Sequence, residues 1–320
     1  MDLLGRKVPS MCSGFTVIDS MRNNKTYGGT TLKFGITVDS IDYIVKFPKD
    51  GSISSIFSEF VASTFITELG FNAHIVYLGV YKNGGYRTPV VILRDFTDKF
   101  WTLKSFDAIH QSSEDTDIYG HKSYTYHDIL YLLDKNTKIL SESKFDYCVR
   151  FWTTFILDAI LGNRDRHGGN WGYLTDGLVY KEAPIYDNGS SLFPDVEKVI
   201  DSYELDRKRF LEERSNYFPA SIIKRYDENG IARRINYFDA LNFLVDDTYF
   251  MYAMDDFNHS VNLDKIVEVA KFTKEISRSA GISDNYLEFY ESIIIARYLR
   301  MIMRYDVGDA CEKALSLVGN

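Results

Sequence analysis

The period of the apolar residues changes once along this chain, and that change limits the folds open to it. The stretches "GGTTLKFGITV" and "DYIVKF", between residues 28 and 47, are β-branched and aromatic, with a polar link at Asp39, Ser40 and Asp42; they predict two strands. "IFSEFVASTFITELG" places Ile56, Phe60, Val61, Phe65 and Leu69 at helical spacing and stops at Gly70, a helix with a glycine C-cap. "AHIVYLGVYK", "NGG" and "RTPVVILRDF" predict a hairpin. From about residue 123 the period becomes helical. "SKFDYCVRFWTTFILDAILG" carries Phe145, Val149, Trp152, Phe155, Ile156, Ala159 and Ile160 on one wide face, and segments 236–254, 262–280 and 284–304 follow the same pattern. The expected architecture is α+β. A small β-rich lobe over 1–96 holds one helix, a larger mainly helical lobe covers 97–320, and residues 107–122 form an exposed connection.

At 320 residues the chain can bury a sizeable core. A net charge of -8 argues against a nucleic-acid partner held by bulk charge, so no direct nucleic-acid binding is expected. Three widely spaced cysteines, Cys12, Cys148 and Cys311, fit a reducing compartment and argue against a disulfide framework or structural zinc. "MDLLGRKVPSMCSGF" shows no Sec-type signal, and the apolar runs are too short to span a bilayer. The expectation is a soluble chain, cytoplasmic as synthesised, without integral membrane association.

The densest polar constellation is "LGNRDRHGGNWGYL", residues 161–174, followed by "PIYDNGSSL". Here a buried helix stops at Gly162 and opens into a loop that can aim short polar side chains while the helix stays rigid. "GYL" and "APIYD" read as strands joined by "TDG", which would return Asp187 beside Asn170. An amide oxygen from Asn170 and a carboxylate from Asp187 suit magnesium, a hard cation that completes its shell with phosphate and water. Asp165 is then free to accept a proton from an attacking hydroxyl. Asp, Asn and Gly are also ordinary turn formers, so the motif gains weight only with its companions.

Those companions lie in the first lobe. "NNKTYGGTT", residues 23–31, can place backbone N–H groups around phosphates as an anion nest; Thr26, Gly28, Gly29 and Thr30 are its candidate residues. Lys46 sits in an apolar strand, and Glu59 follows thirteen residues later on the next helix. A carboxylate there can hold the lysine against the α- and β-phosphates of a nucleotide. The alternatives are an exposed edge lysine and a solvated helix residue.

Together Lys46, Glu59, Asp165-x-His167-x-x-Asn170 and Tyr186-Asp187 resemble the HipA-like serine/threonine kinases. "KTYGG", "YIVKFP", "GNRDRHGGNWG" and "APIYDNGS" look most like the short, cell-translocating proinflammatory branch of these bacterial enzymes. The resemblance, over roughly residues 20–305, implies a two-lobed protein-kinase-like fold using ATP and Mg2+ on a protein Ser/Thr acceptor. It implies that Asp165 is the catalytic base, assisted by His167, and that Asn170 and Asp187 bind magnesium. Lys46 would bind phosphate and Glu59 would orient it. His167 and Tyr186 would lie near the nucleotide, and Leu93, Arg94, Asp95 and Phe96 would form the hinge that meets adenine. It also implies autophosphorylation near Thr26, Thr30 and Thr31, and export as an effector.

The chain has no G-x-G-x-x-G loop, H-R-D or D-F-G, so an ordinary eukaryotic-type kinase is not expected. The extra N-terminal segment of the full-length toxin kinases is not seen, and no antitoxin pairing is expected. "GNRDRHGGN" is also close to the catalytic loop of phosphoinositide kinases. A lipid or small-molecule kinase, with "DRKRF" 206–210, 224–225 and 233–234 as basic candidates, stays open; so does a non-catalytic nucleotide-binding scaffold.

Overall fold

The structure, a computed structural model, describes residues 15–29, 31–110, 124–135 and 144–318; Thr30, Cys12 and residues 111–122 of the expected connection lie outside them. In chain order the strands and helices begin with β1 (Phe15–Ile18), β2 (Lys33–Val38), β3 (Ile41–Lys46), α1 (Ser54–Glu68), β4 (Val76–Asn83) and β5 (Tyr86–Arg94). Then come β6 (Thr102–Ser105), α2 (Phe106–His110), β7 (Tyr124–Thr125), α3 (Tyr126–Lys135), α4 (Lys144–Leu161), β8 (Gly172–Thr175) and β9 (Tyr180–Glu182). The remainder is α5 (Asp201–Leu205), α6 (Arg207–Ser215), β10 (Ala220–Tyr226), β11 (Ala232–Asn236), α7 (Tyr237–Phe243), α8 (Thr248–Ser260), α9 (Leu263–Ser279), α10 (Asp284–Met301) and α11 (Val307–Val318). Among the described residues no helix is long and apolar enough to cross a membrane.

The chain forms two compact units. One takes in the chain up to Phe96, Asp187–Tyr217 and the chain from Leu263 onward; the other holds Thr97–Tyr186 and Phe218–Asn262. The first unit contains a five-stranded sheet in the order β1-β4-β5-β3-β2, with β1 parallel to β4 and the remaining pairs antiparallel. Alternating apolar residues turn Phe15, Val17, Ile36, Val45, Tyr77, Tyr81, Val90 and Ile92 into one core cluster. α1 packs against β4 and β5 and also against α9, so it is apolar around most of its circumference, not along a single stripe. Its first turn lacks a side-chain cap of its own. The carboxylate of Glu197 instead accepts the N–H of Ile53 at 2.7 Å, an anion placed where the helix dipole favours one. α10 is likewise enclosed and packs on α9, α11, α6 and α5. Its buried Glu291 is matched by Lys274 of α9 at 2.7 Å.

The second unit holds two three-stranded sheets, β6-β8-β9 and β11-β10-β7, with α4 packed on α8 and α3. Trp152 of α4 is wholly buried, edge-on to Phe151, Phe155 and Phe250.

The structure departs from the sequence reading in four places. The region after residue 123 is not almost all helix. β10 and β11 form a hairpin about Asp227, whose side chain accepts the N–H groups of Asn229 and Ile231, and its charged residues hid a strand period. The 236–254 helix is two helices, because Asp247 caps the start of α8 by accepting the N–H of Phe250. "APIYD" is not a strand: the partner of β8 is Tyr180–Glu182, and Pro184 has no N–H with which to extend the ladder. Within the expected 107–122 connection, residues up to His110 belong to helix α2.

Replacing Trp152 by Ala opens a cavity in the α4–α8 core and is expected to cost about 3–5 kcal/mol, read as a lower urea midpoint without loss of helix content.

Candidate active site

Three sequence-predicted residues meet in the first unit. The Lys46 ammonium lies 2.9 Å from Glu59 Oε2 and 2.8 Å from Asp187 Oδ1. β3 supplies the lysine and α1 the glutamate, while Asp187 begins the turn after Tyr186. Burial disfavours the ammonium, but the fields of Glu59 and Asp187 outweigh it and hold its pKa above the ordinary lysine value. The other oxygen of Glu59 is also engaged: Oε1 accepts the backbone N–H of Asn188 at 2.9 Å. Asp187 sits in the left-handed region, φ 59°, which Asp tolerates better than most residues. A Cβ at Gly189 would fall 2.8 Å from Glu59 Oε2, so a side chain there would displace the carboxylate that holds Lys46.

The glycine segment is anchored in the same unit. Asn23 donates to Asp42 and Thr37, Lys25 pairs with Asp42 and Asp95 at 3.0 Å each, and the Tyr27 hydroxyl donates to Asp95 at 2.8 Å. Burial, then Asp95, pushes the Tyr27 hydroxyl pKa up. Thr26, Gly28 and Gly29 follow as exposed chain. Leu93 is buried at the end of β5, and the Arg94 carbonyl meets the ring of His74 at 2.8 Å. The Asp95 N–H donates to the Asp42 carbonyl, and Phe96 packs edge-on to His74.

The other predicted residues lie in the second unit. After α4 the loop is tight: Asp165 N–H donates to Asn163 Oδ1 at 3.1 Å, and the Asp165 carbonyl accepts both His167 N–H and Asn170 Nδ2. Asp165 itself is exposed. With its nitrogen committed, the Asn170 amide is oriented so that its oxygen is the atom available to a cation. His167 Nδ1 accepts the Gly169 N–H at 3.0 Å, which leaves the ring proton on Nε2. The Tyr186 hydroxyl donates to the Gly169 carbonyl at 3.1 Å. A Cβ at Gly168 would run into the Asp107 carboxylate and the Tyr124 hydroxyl and would force them aside.

Arg166, inside the motif but not singled out from the sequence, organises this loop. Its guanidinium forks onto both oxygens of buried Asp158, at 2.7 and 3.0 Å, and its Nη1 donates to the carbonyls of Asn170 and Tyr186. Lys33 was also missed, although the hairpin turn encodes it. With Asp39 and Ser40 both at positive φ, the two-residue turn pairs residue i with 79 − i, which sets Lys33 opposite Lys46 on one face. Its ammonium donates to the Gly28 carbonyl, and burial, then the charge on Lys46, lowers its pKa.

Among the described residues no group of three or more His, Cys, Asp or Glu is arranged to hold a metal. The Asn170 amide oxygen and the Asp187 carboxylate are each hard oxygen donors of the type magnesium takes alongside phosphate and water.

The family of HipA-like C-terminal domains matches residues 26–215, and the chain belongs to it. The serine/threonine-protein kinase CtkA of Helicobacter pylori strain J99 is 35% identical over 227 residues, 68% of this chain and 66% of that protein. The crystal structure of a proinflammatory kinase CtkA from Helicobacter pylori matches with a TM-score of 0.70 at 29% identity, covering 89% of this chain and 94% of that one. The α+β, protein-kinase-like fold expected from the sequence is therefore the fold found.

Asp158→Ala strands the buried Arg166 charge and is expected to cost about 3–5 kcal/mol in chemical unfolding. Burial lowers the His74 pKa to about 4, so between that value and about 6.5 the unfolded chain holds the extra proton. Stability is thus expected to fall as pH drops through this window, by on the order of 3 kcal/mol from this residue, and His74→Gln should flatten the slope in urea titrations at stepped pH.

Proposed function

We propose that this protein is an ATP- and magnesium-dependent serine/threonine protein kinase of the HipA-like type. The observation that carries the proposal is the Lys46 ammonium held between Glu59 and Asp187: a buried cation fixed for phosphate, beside a carboxylate of the kind that holds magnesium. Similarity to a serine/threonine-protein kinase supports the acceptor class.

In this reading Lys46 binds nucleotide phosphate and Glu59 keeps it in place. Leu93, Arg94, Asp95 and Phe96 meet adenine, and the segment holding Thr26, Gly28, Gly29 and Thr30 covers the phosphates. His167 and Tyr186 line the nucleotide site. Asn170 and Asp187 would hold magnesium, which when bound offsets charge on the phosphate oxygens. Asp165, exposed at the tip of a loop braced by Arg166, aligns the acceptor hydroxyl and takes its proton. Little covalent chemistry is asked of the protein; catalysis is positioning and charge stabilisation. Autophosphorylation near Thr26 to Thr31 belongs to the same proposal, as does the lobe division at residues 96 and 97.

A lipid or small-molecule acceptor is the second reading. β10 and β11 bring the two basic pairs together, with Arg225 opposite Arg233 and Lys224 opposite Arg234. Three of these are internally engaged, however. Arg233 pairs with Asp227, Arg234 donates to the Ser221 carbonyl, and Arg225 lies over the Phe243 ring. On α6, Arg207, Lys208 and Arg209 each face a glutamate. This internal pairing favours the protein acceptor.

Asp165→Ala and Asp187→Ala are each expected to lower phosphoryl transfer by roughly a hundredfold or more while circular dichroism stays unchanged. Labelled ATP with generic protein, phosphoinositide and no-acceptor arms tests the acceptor class. Full activity in either variant would refute the assigned roles, and transfer to lipid alone would refute the class.

A further inference from the structure

Two buried side chains next to the Lys46 cluster have no part in the roles assigned so far. Asn188 and Ser63 are both completely inaccessible, and Asn188 Nδ2 donates to Ser63 Oγ at 3.0 Å. Ser63 lies one helical turn after Glu59 on α1, so the two face the same side of the helix. The turn Asp187–Asn188–Gly189 therefore meets α1 at two levels. The Asn188 N–H donates to Glu59 Oε1, and one turn further along the Asn188 amide donates to Ser63. Gly189 closes against Glu59, where an added Cβ would crowd Oε2 at 2.8 Å.

We infer that Asn188 and Ser63 form a latch that sets the orientation of Asp187, acting as positioning residues for its carboxylate. The inference rests on the proposed role of Asp187 as a magnesium ligand. The physical case is one of direction. Glu59 has two oxygens and uses one for the Lys46 ammonium and the other for the turn backbone, so lysine and turn are fixed to the same carboxylate. The Asn188 N–H bond to Glu59 fixes one point of the turn, and the 3.0 Å bond from its side chain to Ser63 fixes a second point one helical turn along α1. Asp187, immediately before Asn188 and already in a left-handed backbone conformation, inherits the constraint. Asn and Ser at these two positions supply a matched buried donor and acceptor, which a packing role alone would not need. Partners one step removed from a metal ligand usually tune affinity by orienting it.

The test uses the full chain and a nonhydrolysable ATP analogue, with half-saturating Mg2+ read from thermal shift, so that turnover is not required. Ser63→Ala and Asn188→Ala are each expected to raise that Mg2+ concentration roughly tenfold to a hundredfold. Apparent affinity for the analogue at saturating Mg2+ should change less than about twofold. The double variant should be no worse than either single one, because the two share one bond. Hydrogen exchange should rise at residues 187–190 in Ser63→Ala, a near-isosteric change, while α9 and α10 stay protected. Unchanged exchange in Ser63→Ala, or wild-type Mg2+ dependence in both variants, would overturn the latch. Absence of phosphoryl transfer by the wild-type chain in the separate labelled-ATP assay would overturn the kinase proposal, and the exchange and Mg2+ readouts would still decide the latch.

Discussion

A cation buried to this degree cannot stand without compensation, and much of the first unit is arranged around that fact. The Lys46 side chain is 13% exposed and Glu59 only 3%. Removing an ammonium from water costs several kcal/mol unless carboxylates replace its hydration. Glu59 and Asp187 do so, and they arrive from two different elements, a helix and a turn. Strand β3, helix α1 and the 187–189 turn are consequently bound to a common point. The enclosure of α1 follows from the same need, since the helix that carries Glu59 is packed on the sheet and on α9. The pair is thus a constraint on placement more than a source of net stability.

The second unit solves an analogous problem with the opposite inventory. The loop after α4 carries an exposed Asp165 and the Asn170 amide, and a loop rich in polar groups has few apolar contacts of its own. Arg166 turns inward and stitches the loop to the end of α4 through Asp158 and to the carbonyls of Asn170 and Tyr186. Asn163, also hydrogen-bonded to Asp158, caps the Asp165 N–H. The carboxylate of Asp165 stays exposed, and that of Asp158, which pairs with Arg166, is buried. Asp158 and Asp165 lie seven residues apart and have opposite fates for that reason.

Much of this was legible in the residues themselves. The alternation through Ile36 and Val45 and the helical spacing of Ile56, Phe60 and Phe65 are local signals, and β2, β3 and α1 fell within a few residues of their expected bounds. The family was legible from the spacing of Asp165, His167 and Asn170 together with Tyr186 and Asp187. Short strands were harder to see. β10 and β11 interleave charge with apolar residues, and β9 is too short to establish a period, although β8 was expected at "GYL". Lys33 could have been found from the two-residue turn at Asp39 and Ser40, which fixes register by counting alone. Asn188 and Ser63 could not, because 125 residues separate the buried amide from the hydroxyl it donates to, and serine is common on any helix.

The sequence by itself determined the order of β-rich and helical segments, the turn chemistry, and the motifs that mark the family. These depend on neighbours a few positions away, where period and backbone preference act. Only the tertiary structure decided which charges face one another: that Lys46 is shared between Glu59 and Asp187, that Arg166 points into the protein, and that residues 187–217 and 263–320 join the unit containing the N-terminal sheet. Such pairings are set by desolvation and packing among elements far apart in the chain, and no local pattern encodes them.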